Sequence, residues 1–187
     1  MNRVERIVAD LLPLTEFYAD EGPEIEEVAE EEIPEPYRAL LVHDNDMTPT
    51  LEEFFGGEIH LRILDWRIEN EVLSREVALV LNHEERPVEF GAIRIHLERF
   101  GEGPREAILE GYRPLGAILR AYQIGHRSHP TGFFLIHADP TITDALAIEE
   151  ASRLYGRCNR LTYANGDPLA EVVEIVPPLQ GESGGVV

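Results

Sequence analysis

Apolar and polar positions alternate along this chain with two different periods. Residues 3–19 place Val4, Ile7, Val8, Leu11 and Leu12 at near-helical spacing, which predicts a helix that Pro13 ends or kinks. Between residues 20 and 36 the apolar pattern fades into EGPEIEEVAEEEIPEP, where like charges repel and little apolar surface offsets the entropy of ordering. A solvated linker is expected there, in preference to a binding tail. The segment DMTPTLEEFFGG then predicts a short helix, with Thr48 capping the first amides, Pro49 at the first helical position and Gly56 or Gly57 closing the end. The amino terminus of that helix is a potential anion site.

The period then shortens to two. EIHLRILDWRI (58–68), SREVALVLN (74–82) and PVEFGAIRIHL (87–97) read as strands, and short polar breaks such as NHEER imply antiparallel pairing. Helical turns are expected around PLGAIL within 104–122, and a further strand in GFFLIHA (132–138). RCNRLTY (157–163) and LAEVVEIV (169–176) flank an Asn165-Gly166 turn that tolerates positive φ, the pattern of a hairpin. Five or six strands with short helices make an α+β fold in one domain. The expected organisation is an N-terminal helix and acidic linker over 1–37, the main domain over 38–178 and a flexible Gly/Ser-containing tail over 179–187.

Composition narrows the functions. The chain has 187 residues, is 43% apolar and contains no run near the roughly 18 apolar residues that a membrane helix needs; the first residues lack a signal-peptide pattern. A cytoplasmic protein is expected. A formal charge of -20 disfavours nucleic acid and anionic membrane as partners, because both require a Lys/Arg surface. All 16 basic residues are arginines, so Schiff-base chemistry, a phosphate-loop lysine and lysine general bases are excluded. Cys158 is the one cysteine and reads as a structural thiol.

Candidate chemistry concentrates on a few positions. Period-two alternation sets Arg75 in line with Val77, Leu79 and Leu81, an unusual neighbourhood for a charge. Glu171 and Glu174 interrupt an otherwise apolar final strand. Buried Arg and Glu need partners, so a structural ion pair stands beside a ligand-gripping role as a reading of these residues. His126 and His129 have an i, i+3 spacing, but Pro130 follows and argues for a loop, and a metal would need a third ligand such as His137; no metal site is expected. No Gly-x-Ser-x-Gly elbow and no glycine-rich phosphate loop are present, which leaves hydrolase triads and nucleotide binding without support.

Taken in order, LLVHDNDMTPTLEEFFG, LSREVALVL, RPLGAIL, LYGRCNRL and GDPLAEVVEIVPP resemble the chorismate pyruvate-lyase family over roughly residues 38–178. The resemblance implies a single antiparallel sheet of about six strands with flanking helices and an enclosed ligand, a fold shared with effector-binding domains of transcription regulators. It also implies site residues: Arg75 on the ring carboxylate, the backbone amide of Leu115 assisting, Met47 lining the pocket, and a last-strand glutamate at the 4-hydroxyl end. Counting back from Pro178 selects Glu174; counting forward from Pro168 points to Glu171.

The activity so implied is elimination of pyruvate from chorismate to give 4-hydroxybenzoate, with Arg75, Glu174 and Glu171 as the catalytic candidates and no cofactor or metal. A planar guanidinium suits the carboxylate, and a nearby carboxylate suits the far end. Two rivals stand beside this expectation: a noncatalytic protein that binds a small aromatic carboxylate on the same fold, and a divergent lyase with another substrate. Fold alone cannot choose among them.

Overall fold

In the computed structural model, which describes residues 9–19, 22–149 and 152–179, the period-two segments assemble into one sheet. Its strands are β1 (Ile25–Val28), β2 (Ile59–Glu69), β3 (Val72–Leu81), β4 (Arg86–His96), β5 (Arg127–His137), β6 (Arg153–Thr162) and β7 (Pro168–Ile175). They lie in the order β1-β5-β6-β7-β4-β3-β2, and all neighbours are antiparallel. The helices are α1 (Leu12–Thr15), α2 (Tyr37–Leu41), α3 (Met47–Phe55), α4 (Glu102–Glu110), α5 (Leu115–Ala121) and α6 (Pro140–Leu146). The α+β class and the antiparallel sheet expected from the patterning are therefore present, with seven strands in place of about six.

The additional strand comes from the acidic stretch expected to be a solvated linker. Ile25 pairs with Ile136 and Val28 with Phe133 along β5. An edge strand needs only a backbone ladder and a few packed side chains, and Ile25 and Val28 supply those against neighbouring apolar clusters. Glu26 stays in solvent beside Arg153, 2.7 Å away. Composition averages over such a segment and misses it.

Two other boundaries differ from expectation for local reasons. Helix α3 starts at Met47 with Asp46 as its N-cap, ahead of the expected Thr48, and Gly56 closes it at φ 68°. Strand β5 begins at Arg127 and absorbs the HRSHP stretch after its first histidine. Pro130 is tolerated because the β5–β6 register shifts between Pro130 and Gly132, where a ladder hydrogen bond is not required. The expected helix over 3–19 is described only from residue 9 onward, where Leu12–Thr15 forms one helical turn with Pro13 near its start; the expected tail lies outside the described residues except for Leu179.

The two faces of the sheet are covered differently. On one, α1 and α6 bury Phe90, Ala92, Val173 and Ile175 in a single cluster. The other carries two clusters: α4 and α5 close over Leu73, Ile93, Ile95 and Val172, while α2 and α3 close over Ile59, Leu79 and Leu81. Burial of these side chains, at roughly 25 cal/mol per Å² of apolar surface, drives the helices onto the sheet. Between the two clusters lies a polar seam.

Candidate functional site

Cross-strand register lays out the seam row by row. Arg75 on β3 stands opposite Ile93 on β4, Ile93 opposite Val172 on β7, and Val172 opposite Asn159 on β6. The next row on this face is Val77, Gly91, Glu174 and Arg157, and beyond it Leu79 faces Glu89. Rows on one face are separated by two residues, about 7 Å along the strands. Gly91 is what opens space here: a Cβ at that position would come within 3.1 Å of Glu89 Oε1 and 3.2 Å of Val77 Cγ2.

Above these rows is a small cavity with about 70 Å³ open to the centres of water molecules. Arg75, Glu89 and Glu174 line its floor, and Met47, Thr48 and Leu115, at the first turns of α3 and α5, line its roof. Asp46, the N-cap of α3, makes no capping hydrogen bond. Its carboxylate turns outward to His126, whose Nε2 lies 2.9 Å from Oδ1, and the hydrogen bond to that carboxylate holds the imidazole pKa above its ordinary value. Asp46 also borders a larger open groove of about 1020 Å³ lined by His126, Ser128 and Arg127, so the Asp46–His126 pair stands in the wall between groove and cavity.

Two arginines in the seam are fully buried and treated in opposite ways. Arg157 donates from Nε to Glu174 Oε2 at 2.5 Å, and from Nη1 to the carbonyls of Leu41 and His43, both at 3.0 Å. Its Nη2 reaches the carbonyl of Asn45 at 3.4 Å. Arg75 is 2% exposed, yet its Nε and Nη1 have no hydrogen-bond partner among the described residues. Burial alone pushes its guanidinium down to about 10, so it stays charged near neutrality. Glu89 is 3% exposed and its Oε2 is likewise without a partner. Burial first, and then the charge of Glu174, push its carboxyl well above the usual range against the opposing pull of Arg157.

Of the residues selected from the sequence, Arg75, Glu174, Met47 and Leu115 line this one cavity. Glu171 does not. It shares strand parity with Val173 and Ile175, on the face covered by α1 and α6, and its Oε2 lies 3.0 Å from His96 Nε2. Glu174 therefore takes the pocket-facing position that the residue count alone left open, and Glu171 is corrected to the opposite face. Glu89 and Arg157 had no role assigned from sequence, although Arg157 lies in the LYGRCNRL element. Cys158 is buried on the α1/α6 side, where its thiol pKa is raised first by burial. Among the described residues no three of His, Cys, Asp or Glu group as metal ligands, and no helix is long and apolar enough to cross a membrane.

No protein-family model matches this chain, and no curated protein matches it. Solved structures share its fold. The effector domain of PhnF from Mycobacterium smegmatis is 12% identical, covering 70% of this chain and 87% of that one, with a TM-score of 0.56. The "possible transcriptional regulator YydK" from Bacillus subtilis is 8% identical over 68% of this chain, which spans only 59% of YydK, with a TM-score of 0.51. A GntR-family transcriptional regulator from Bacillus cereus is 11% identical over 70% of this chain and 99% of that one, with a TM-score of 0.49.

At such identities the likeness is one of fold: the chorismate lyase-like antiparallel sheet with flanking helices, shared with regulator effector-binding domains. The expectation of a carbon–oxygen lyase acting on chorismate is corrected by these neighbours, which are described as a regulator's effector domain and a possible transcriptional regulator. The site gives a physical counterpart. Glu174, the carboxylate expected to serve the reacting end of the substrate, is committed to Arg157.

Proposed function

We propose that this chain is a noncatalytic receptor for a small organic carboxylate, most simply an aromatic one, enclosed between the sheet and the first turns of α3 and α5. The observation that carries the reading is Arg75, a buried guanidinium whose Nε and Nη1 lack partners on the wall of a cavity. A buried cation without an anion is costly, and a folded chain retains one where something outside the chain completes it. A carboxylate matches the planar fork of donors in size and charge, and first-turn helix amides nearby add to the attraction for an anion.

The rest of the cavity supports a flat apolar body for the ligand. Leu61, Ile93, Leu161 and Val172 provide apolar walls, and a cavity of about 70 Å³ favours a small ligand over a larger dicarboxylate frame. The neighbours' effector-binding role points the same way, toward binding without turnover. Calorimetric titration with benzoate tests the proposal. Saturable binding to the wild type, abolished in a folded Arg75→Met protein, is expected; absence of binding, or binding that Arg75→Met leaves intact, would sink it.

A further inference from the structure

The charges lining this cavity are out of balance at both ends. Among the described residues Arg75 Nε and Nη1 have no partner. At the other end two carboxyls, Glu174 and Glu89, share one cation, Arg157, whose donors are already given to Glu174 and to the carbonyls of Leu41, His43 and Asn45. Glu89 Oε2 is left without a donor at 3% residue exposure. Its other oxygen stands 3.1 Å from where a Gly91 Cβ would be, so the carboxyl leans over Gly91 toward the row of Glu174. That row is displaced from the row of Arg75 by about 7 Å along the strands.

Resting on the carboxylate reading above, we infer that the occupant is a small amino-carboxylate with its two charges at opposite ends of a ring or chain: the carboxylate meets Arg75, and the ammonium meets Glu89 beside Glu174. With such a ligand each of the charges at the two ends of the cavity has a counterpart. Arg75 holds the ligand carboxylate, Arg157 holds Glu174, and the ammonium holds Glu89. An α-amino acid, with both charges on one carbon, does not span the two rows.

The balance of protons follows. In the empty cavity Glu89 keeps its proton, because burial and the charge of Glu174 oppose a second carboxylate there. The arriving ammonium is already protonated and supplies the missing positive charge, so the Glu89 proton leaves to solvent as the complex forms. A neutral hydroxyl in the same place leaves Glu89 as the acid, and no proton is released.

Three probes of one shape separate these cases: 4-(aminomethyl)benzoate, 4-(hydroxymethyl)benzoate and 4-methylbenzoate, titrated calorimetrically near pH 6 in buffers of different ionisation enthalpy. The amine is expected to bind about tenfold or more tightly than the alcohol, as charge-assisted hydrogen bonds do, with release of about one proton. In Glu89→Gln the release disappears and the preference shrinks to about twofold. Equal binding of the three probes, or amine binding to the wild type without proton release, overturns the inference while leaving the carboxylate reading in place. If none of the three binds, the carboxylate reading falls and this inference falls with it.

Discussion

Arg75 and Arg157 lie at two ends of one polar seam, on one face of the same sheet, and both are essentially sealed from water. At the Arg157 end the chain completes the charge itself: a carboxylate and the carbonyls of the 41–45 segment surround the guanidinium, and the arginine fastens that segment to β6 and β7. At the Arg75 end two of the donor nitrogens have no partner among the described residues. Burial by itself therefore does not distinguish a structural charge from a binding one. The partner count does, because an unsatisfied buried charge lowers stability and persists only where it serves something else.

Substitution should separate the two ends sharply. Arg157→Met strands Glu174 as a buried carboxylate and leaves three carbonyls without their donor; a loss of about 3–5 kcal/mol is expected in denaturant unfolding. A loss below about 1 kcal/mol would mean that the Arg157 end is not the structural one. Arg75→Met should do the reverse. Replacing an unpartnered cation with an apolar side chain of similar length is expected to stabilise the protein by about 1–3 kcal/mol while removing carboxylate binding. Should Arg75→Met unfold the chain, Arg75 would be a structural charge like its counterpart.

Glu89 sharpens the comparison through pH. Its folded pKa is raised above the ordinary value of 4.5, so between those two values the unfolded chain has released a proton that the folded chain keeps. Stability from this group is present below about pH 4.5 and is lost as pH rises toward the folded value. Glu89→Gln removes the penalty: its unfolding free energy should match the wild type near pH 5 and exceed it by about 1–2 kcal/mol near pH 8. Equal values at both pH values would show that Glu89 is not a buried acid.

The smallest effect belongs to the wall of the cavity. His126 is raised above its ordinary pKa first by its hydrogen bond to Asp46. The pair's contribution is full below about pH 6.5 and fades as pH passes through the higher folded value. His126→Gln should cost about 0.5–1 kcal/mol near pH 5.5 and little near pH 9. A cost independent of pH would assign the effect to packing in place of charge.

Arg75 was legible in the sequence because Val77, Leu79 and Leu81 follow it in the same parity and make the charge stand out, although β3 is itself buried on both faces. Glu89 was not, for a physical reason: β4 is a central strand buried on both faces, so Val88, Glu89, Phe90 and Gly91 give no alternation that identifies the pocket side. The same holds for Arg157, between buried Gly156 and Cys158 on β6. Glu171 and Glu174 differ by an odd number of residues and must point to opposite faces; the sequence carried that parity, but only the pairing of Glu174 with Gly91 says which face holds the cavity. Helix α6 was not expected from the sequence, although the structure shows Asp139 accepting the amide of Ile142 at 2.9 Å and Pro140 in the first turn, and the strand at Ile25–Val28 was hidden by its glutamates.

The most direct test watches the two arginines together while a carboxylate is added. Side-chain ¹H–¹⁵N spectra of the wild type, with the Nε–H signals of Arg75 and Arg157 assigned by their loss in Arg75→Met and Arg157→Met, can be followed through a benzoate titration. The account predicts that the Arg75 signal moves saturably as its orphaned donors find an acceptor, and that the Arg157 signal stays in place. A ligand that binds while Arg75 is unmoved, or that shifts Arg157 instead, would contradict it.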